Sequence, residues 1–185
     1  TGITYPAGIP SMFEYDGGVG GAPADIGQLT KMTDESGQTT FSYDGMGRLL
    51  TKVQTTTVGA ASVNLKLAYG YGAEGSALGR VTSMSYPSGN RINYLYDSSG
   101  RLSSLTLNPV ALDGSTDSGT TIVLLSDITY APFGAVQSWH WGNHSDAQPS
   151  RFARTFDLDG RITSYPLGNA ASNGLVRTVA YDAKS

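Results

Sequence analysis

The sequence predicts an all-β fold, an antiparallel meander of repeated β-hairpins that form one curved sheet. The first observation behind this prediction is a turn motif, Tyr-Asp-x-x-Gly-Arg followed by an apolar residue, which recurs along the 185 residues. The second is composition: glycine supplies 24 residues and tyrosine 11, whereas charged residues make up only 15%. Aromatic and β-branched residues favour strands, glycine favours turns, and charged residues usually approach a quarter of a chain. The third is alternation of apolar and polar residues with a period of two.

Three complete copies of the motif and one partial copy supply the candidate functional residues. A repeat must be recognised first, because an array of repeats has a different architecture from a single-site enzyme. The residues are Tyr43, Asp44, Gly47 and Arg48; Tyr96, Asp97, Gly100 and Arg101; Phe156, Asp157, Gly160 and Arg161; and Tyr181 and Asp182.

Degenerate copies fill the gaps between the clear ones. The second motif position falls at Asp16, Asp44, Gly72, Asp97, Ala131, Asp157 and Asp182, at intervals of 28, 28, 25, 34, 26 and 25 residues. The longest interval contains a polar stretch that predicts a loop insertion near 109–120. We therefore expect six to seven repeats over 12–185, with 1–11 as a linker or the start of an upstream repeat. Because repeat material runs to the last residues, we expect a piece of a longer chain.

Each repeat unit predicts one hairpin, because a second turn signal lies near its middle. These signals fall at 34–37, 59–61, 87–90, 113–119, 142–149 and 169–174. Two turns in about 26 residues leave two strands of roughly 6 to 10 residues each. Between 63 and 71, and again between 92 and 96, apolar and polar residues alternate, as expected for a sheet with one apolar face.

The residue types of the motif predict a structural role. An aspartate that opens a tight turn accepts hydrogen bonds from backbone N–H groups two residues on, and glycine adopts the positive φ that the reversal needs. The tyrosine offers a large ring for packing along the sheet. The arginine fork can bond the turn aspartate or a carbonyl across the ladder.

Other features exclude several classes of function. A net charge of −3 argues against a nucleic-acid partner, and without cysteine there is neither a disulfide frame nor a thiolate metal site. No apolar run approaches the roughly 20 residues of a membrane span. We find no nucleophile elbow, no phosphate loop and no repeated acid pair, so we expect no enzyme activity and no cofactor.

Three short patterns suggest a ligand or a modification, and the first two have a simpler explanation. His140 and His144 have a spacing that pairs metal ligands on a helix, but they lie in a strand running into a turn. Asp157-Leu158-Asp159-Gly160 begins like a calcium loop yet fits the repeat turn. Asn143-His144-Ser145 is a glycosylation sequon. Trp139 and Trp141 can stack on sugar rings, although packing within the sheet is the more ordinary role.

The motif resembles the RHS or YD repeat, and the stretch from Gly79 to Leu102 matches that pattern from end to end. The resemblance implies a section of a β-strip that coils into a hollow shell. In bacteria such shells enclose a toxic C-terminal domain of a secreted protein, and in animals a related shell belongs to teneurin adhesion receptors. Implied partners are further repeats of the parent chain, a second copy paired through a strand edge, and the enclosed toxin. The self-cleaving Asp-Pro-x-Gly-Leu signature of some relatives is missing from this sequence.

The leading hypothesis is therefore a non-enzymatic segment of a bacterial protein, secreted or at the cell surface, that helps to enclose a toxin. An adhesion or carbohydrate-binding module, with glycans as partners, is the alternative. A glycan-cleaving enzyme is the third hypothesis.

Overall fold

The computed structural model describes residues 2–4, 8, 10–18, 21–58, 61–110, 120–132, 134–142, 151–167 and 175–182. The predicted turn at 59–60, most of the loop insertion near 109–120, the turn residues 143–149 with His144 and the sequon, and the turn at 169–174 lie outside the described residues.

The described residues form fifteen strands and two short 3-10 turns, Pro23–Asp25 and Gly75–Ala77. The strands are β1 (Gly2–Ile3), β2 (Ser11–Tyr15), β3 (Leu29–Asp34), β4 (Gly37–Tyr43), β5 (Leu49–Val58), β6 (Ala61–Tyr71), β7 (Val81–Ser85), β8 (Arg91–Tyr96), β9 (Leu102–Asn108), β10 (Ile122–Tyr130), β11 (Val136–Trp141), β12 (Arg151–Ala153), β13 (Thr155–Phe156), β14 (Ile162–Pro166) and β15 (Val176–Thr178).

The predicted antiparallel meander is confirmed, since the strand order of a twelve-stranded sheet follows the chain from β1 to β12. The structure adds one detail, because β13, β14 and β15 form a second sheet. This division falls between two short strands, three residues in β12 and two in β13, so few ladder hydrogen bonds are available there.

The chain divides into two compact units. One comprises Thr1–Tyr71 with Val81–Arg91, and the other Gly72–Arg80 with Ile92–Ser185. In the first unit, β5 and β6 make the longest pairing, from Thr51 opposite Ala68 to Val58 opposite Ala61. In the second, β10 pairs with β9 and with β11.

A register shift immediately precedes the aromatic residue of five motif copies. It falls before Tyr15, Tyr43, Tyr71, Tyr130 and Phe156. An extra residue on one strand of an antiparallel pair increases the local twist and re-aims the side chain that follows. These five copies therefore present the motif aromatic residue at a locally irregular point of the ladder.

The buried residues of the described part are all small. They are Thr30, Thr39, Ser83, Gly100, Ala131, Ser138 and Pro166. Several large apolar side chains are instead strongly exposed, among them Leu65, Leu95 and Leu175. Burial of large apolar side chains is the dominant stabilising term in folding. The sheet faces of the described residues therefore lack the shielding that a self-contained core would supply.

Candidate functional site

The complete motif at Asp44 builds a closed turn around one carboxylate. The backbone N–H of Asp44 donates to the carbonyl of Arg48 at 2.9 Å, and the N–H of Gly47 donates to the carbonyl of Asp44 at 2.9 Å. Asp44 Oδ1 accepts from the backbone N–H of Met46 at 2.9 Å and of Arg48 at 3.0 Å. Its Oδ2 accepts from Arg48 Nε at 2.7 Å. The carboxylate thus orders the turn and also holds the arginine.

The other two complete copies repeat this geometry. Asp97 Oδ1 accepts from the N–H groups of Ser99 and Arg101, and its Oδ2 accepts from Arg101 Nε at 2.9 Å. Asp157 Oδ1 accepts from the N–H groups of Asp159 and Arg161, and its Oδ2 accepts from Arg161 Nε at 2.8 Å. The three turns are therefore one construction used three times.

These contacts lower the pKa of all three aspartates. For Asp44 the principal cause is the side-chain hydrogen bond from Arg48, and for Asp97 and Asp157 it is the backbone hydrogen bond from the arginine of the same turn. Hydrogen bonds to a carboxylate favour its charged form. The turns accordingly keep a negative charge in place for each arginine.

The motif glycine has two reasons to be glycine. Gly47 and Gly100 both have a φ of +74°, in the left-handed region that favours glycine. A Cβ on Gly100 would also lie 2.8 Å from Arg80 Nη2, and a Cβ on Gly47 would lie 3.1 Å from Gln28 Nε2. The side chain at the arginine position of the preceding copy therefore occupies the space above the glycine.

The motif tyrosines are tied to the preceding copy by their hydroxyl groups. In each case the acceptor is the backbone carbonyl of the residue that follows the arginine position. These hydrogen bonds are Tyr43 to Leu29 (2.7 Å), Tyr71 to Leu49 (2.9 Å), Tyr130 to Leu102 (2.8 Å) and Tyr181 to Ile162 (2.9 Å). A hydroxyl that would otherwise be desolvated without a partner is thereby satisfied.

Four motif tyrosine rings receive the arginine of the preceding copy on their faces. The distances from the guanidinium carbon to the ring centroid are 4.4 Å for Arg48 and Tyr71, 5.6 Å for Arg80 and Tyr96, 4.7 Å for Arg101 and Tyr130, and 4.5 Å for Arg161 and Tyr181. All lie within the roughly 6 Å at which a cation is attracted to a ring. Aspartate, arginine and the next tyrosine therefore form a recurring triad across neighbouring repeats.

Copies with longer loops close in a related way. The N–H of Asp16 donates to the carbonyl of Gln28 at 3.1 Å, and Asp16 Oδ1 accepts from the N–H of Gly27 at 2.6 Å. The N–H of Gly72 likewise donates to the carbonyl of Arg80 at 2.9 Å. In both copies the hydrogen bonds come from the first residue and the last two residues of the turn, so insertions are accommodated between them.

The remaining sequence-predicted residues fall at separate places. Phe156 ends β13, and Tyr181 and Asp182 follow β15. Asp157 and Asp159 both pair with Arg161, Asp159 at 3.1 Å, so the calcium-like sequence forms a repeat turn. Among the described residues there is no group of three or more acidic, histidine or cysteine side chains arranged to hold a metal. His140 Nδ1 lies 3.2 Å from Asp127 Oδ2, which also accepts a hydrogen bond from Ser126 Oγ at 3.3 Å.

Trp139 and Trp141 lie in an aromatic cluster on β11 and β12. Trp139 stacks on Phe152 with ring centroids 4.4 Å apart and meets Trp141 edge-on at 5.9 Å. Arg154 lies over both stacked rings, 5.1 Å from that of Trp139 and 5.7 Å from that of Phe152. The cluster borders a pocket of about 270 Å³ whose other lining residues are Leu102, Leu125, Ile128, Tyr130 and Val136.

Sequence reasoning missed Phe152, Arg154 and the acceptor carbonyls of the tyrosine bonds. Phe152 lies directly opposite Trp139 in the ladder of β11 and β12. A hydrophobic residue at the middle of a short strand was the only signal for it. The backbone carbonyls leave no trace in the sequence.

Comparison with known proteins places two segments of the chain, residues 25–61 and 76–108, in the RHS repeat family. No curated protein matches the sequence. Among solved structures, a crystal structure of TcdB2-TccC3 without its hypervariable C-terminal region superposes with a TM-score of 0.64 at 15% identity. The match covers 85% of this chain and 8% of that one.

A Tc holotoxin pore from Photorhabdus luminescens, carrying a TccC3 variant, superposes with a TM-score of 0.67 at 14% identity. The match covers 93% of this chain and 8% of that one. At these identities the likeness concerns the fold. The chain spans less than a tenth of the length of either structure.

Proposed function

The chain belongs to the RHS/YD-repeat family, and on that premise we propose that it is a section of the β-wall of a shell enclosing a C-terminal toxin or effector domain. The parent protein would be bacterial and secreted or displayed at the cell surface. Curvature of the wall, and a role without enzyme activity or cofactor, are parts of this proposal.

The observation that carries the proposal is the triad of aspartate, arginine and tyrosine. In each complete motif the carboxylate holds its own turn and its own arginine, and that arginine (Arg48, Arg101 or Arg161) lies on the next tyrosine. The aspartate, arginine and tyrosine side chains of the motif thus contact one another and the backbone. We infer that the motif, including Tyr181 and Asp182, serves to join hairpins into a wall.

Exposure of the large apolar side chains supports an incomplete wall. Met12 is 56% and Leu65 is 43% exposed, although both lie in strands. Exposed apolar surface of this kind marks a site that another polypeptide covers. Further repeats, a second copy paired at a strand edge, or the enclosed domain would supply that cover.

The repeat boundaries follow from the same proposal. Six to seven repeats occupy 12–185, and 1–11 begins an upstream repeat or a linker. Support for the upstream repeat comes from β1, since Gly2 pairs with Met12 and Ile3 with Ser11. Within the described residues, no helix has the length and apolar character that crossing a bilayer requires.

Protease protection in the complete parent protein tests the proposal. A parent gene that encodes further repeats and a terminal effector domain should give a protein whose effector resists limited proteolysis. Deletion of the segment 12–182 should open the wall and expose the effector to cleavage. The isolated effector, which no wall protects, is the control for the effector's own cleavage rate, which should be unchanged. A parent without an effector domain, or an effector cleaved equally fast with and without the segment, would refute encapsulation.

Carbohydrate binding by a cell-surface module is the second candidate. It is favoured by the 56% exposure of Trp141, an aromatic platform of the kind that stacks on sugar rings. A glycan array should then give hits that disappear in Trp141→Ala. Hits that persist in that variant would exclude this site.

A further inference from the structure

The pocket beside Trp139 has an apolar lining and, among the described residues, two polar groups whose hydrogen-bonding or ionic capacity is not filled. Leu102, Leu125, Ile128 and Val136 supply aliphatic surface. The hydroxyl of Tyr130 is already engaged with the carbonyl of Leu102. This part of the lining is therefore suited to an apolar group. The polar groups that an occupant could contact belong to Trp139 and Arg154.

The first unsatisfied group is the indole N–H of Trp139. Nε1 is buried and has no hydrogen-bond partner among the described residues. A buried donor without an acceptor costs free energy, so an occupant that brings an acceptor removes that cost. The second is the guanidinium of Arg154, which lies on two aromatic rings and forms no ion pair with a described carboxylate. An arginine in this position favours a carboxylate partner.

The size of the pocket distinguishes between classes of occupant. A volume of about 270 Å³ falls below the range of about 300 to 1,000 Å³ that small-molecule sites usually have. A sugar ring would bury several hydroxyl groups, and this lining offers few partners for them. One apolar side chain, anchored among aromatic residues and an arginine, matches the composition of protein-binding hot spots.

We propose that this pocket binds a polypeptide segment through a large apolar side chain that is followed by an acidic residue. The apolar side chain fills the pocket between Trp139 and Leu125. The carboxylate pairs with Arg154, and an oxygen acceptor of the segment meets Trp139 Nε1. The enclosed domain of the proposed shell is the natural source of such a segment. Only this choice of source rests on the proposed function.

Tryptophan fluorescence of the 185-residue chain tests this site directly, because Trp139 and Trp141 are the only two tryptophans in the sequence. The probes are three blocked peptides: Gly-Phe-Asp-Gly, its uncharged counterpart Gly-Phe-Asn-Gly, and its truncated counterpart Gly-Ala-Asp-Gly. We expect a saturable change in emission with the first peptide. The second should bind about fivefold more weakly, because it lacks the charge-assisted bond to the arginine. The third should give no saturation in the same range.

Substitutions in the pocket test whether its residues cause the difference in binding between the peptides. In Arg154→Gln the preference for Asp over Asn should vanish, while Arg151→Gln, on neighbouring β12, should keep it. In Trp139→Phe, which lacks the indole N–H and is followed by the emission of Trp141, the Phe-Asp peptide should bind about threefold more weakly because one hydrogen bond is lost. Far-UV circular dichroism establishes that each variant is folded.

Several outcomes would overturn the inference. These are equal binding of the Phe and Ala peptides, an Asp preference that survives Arg154→Gln, and no saturable change in the folded chain. A change produced by cellobiose and not by any peptide would assign the site to glycans instead. A negative result here leaves the protease-protection test of the wall unaffected, so the two proposals fail separately.

Discussion

The guanidinium carbon of Arg48 lies 4.4 Å from the ring centroid of Tyr71, and the hydroxyl of Tyr71 donates to the carbonyl of Leu49, the residue after that arginine. One motif turn therefore holds the aromatic residue that begins the next motif copy. Arg101 and Tyr130 repeat the arrangement at 4.7 Å. Such coupling between successive units is what makes the stability of repeat proteins a sum of unit and nearest-neighbour terms.

Removal of the arginine head group at this junction should destabilise the chain. Arg48→Gln loses the ion pair with Asp44 and the contact with the Tyr71 ring. The cation–π part alone is worth about 0.5–1 kcal/mol at an exposed site. We expect a lower urea midpoint, with Arg48→Lys in between because lysine keeps the charge and loses the planar fork.

Arg91 is the matched control for this substitution, since it is exposed on β8 and lies outside the motif turns. Arg91→Gln should leave the urea midpoint within error. An equal loss in both variants would show that the effect comes from net charge and not from the junction.

The tyrosine hydroxyl at the junction should contribute separately from the ring. Tyr71→Phe keeps the aromatic face for Arg48 and leaves the carbonyl of Leu49 without this donor. We expect a loss of about 0.5–1.5 kcal/mol, the usual net worth of one hydrogen bond. Tyr86→Phe is the control, because this tyrosine lies outside the motif and its backbone N–H closes the turn with the carbonyl of Asn90. Unchanged stability in Tyr71→Phe would mean that water replaces the bond without cost.

The motif aspartates should make the fold sensitive to acid. Their pKa values in the folded chain lie below the ordinary value of 3.8, so the folded state binds protons less readily than the unfolded state. Their contribution is complete above the unfolded pKa and is lost as the pH falls below about 3.8 through the folded values. Urea midpoints measured from pH 7 to pH 2 should fall over this window.

Substitution of one motif aspartate tests the assignment of that acid sensitivity. Asp44→Asn should lower the midpoint at pH 7 and reduce the further fall below pH 4. Glu74→Gln is the control, because the Glu74 side chain makes no cap hydrogen bond at the 3-10 turn that follows it. This variant should have the same pH profile as the unchanged chain. A profile of Asp44→Asn parallel to that of the unchanged chain would place the acid sensitivity elsewhere.

The hydrogen bonds and backbone conformation within each motif turn were predictable from the sequence, because they depend on residues close together in the chain. The bonds from Asp44 to the N–H groups of Met46 and Arg48 and the positive φ of Gly47 all arise within five residues. The antiparallel meander was predictable because alternation and turn spacing set it. The family followed from the same repeated residues.

Contacts between repeats were not predictable, because they depend on strand register. Tyr71 meets Leu49, 22 residues earlier, only when the shift before Tyr71 has turned its side chain to that carbonyl. A one-residue slip would send the ring to the opposite face. The stack of Trp139 on Phe152 likewise requires the pairing of β11 with β12.

The two glycines of the Asp44 turn should respond in opposite directions to the same substitution. Gly47 has a φ of +74° and a Cβ there would lie 3.1 Å from Gln28 Nε2. Gly47→Ala should therefore lose about 1–2 kcal/mol, the cost of the left-handed conformation for a residue with a Cβ. Around Gly45, two residues earlier, no atom of the described residues beyond its chain neighbours would lie within 4 Å of a Cβ, and its φ is not positive. Gly45→Ala should be neutral or gain about 0.4–1 kcal/mol, because alanine restricts the unfolded chain. Urea unfolding of both variants decides the point, since equal effects would show that turn strain does not select the motif glycine.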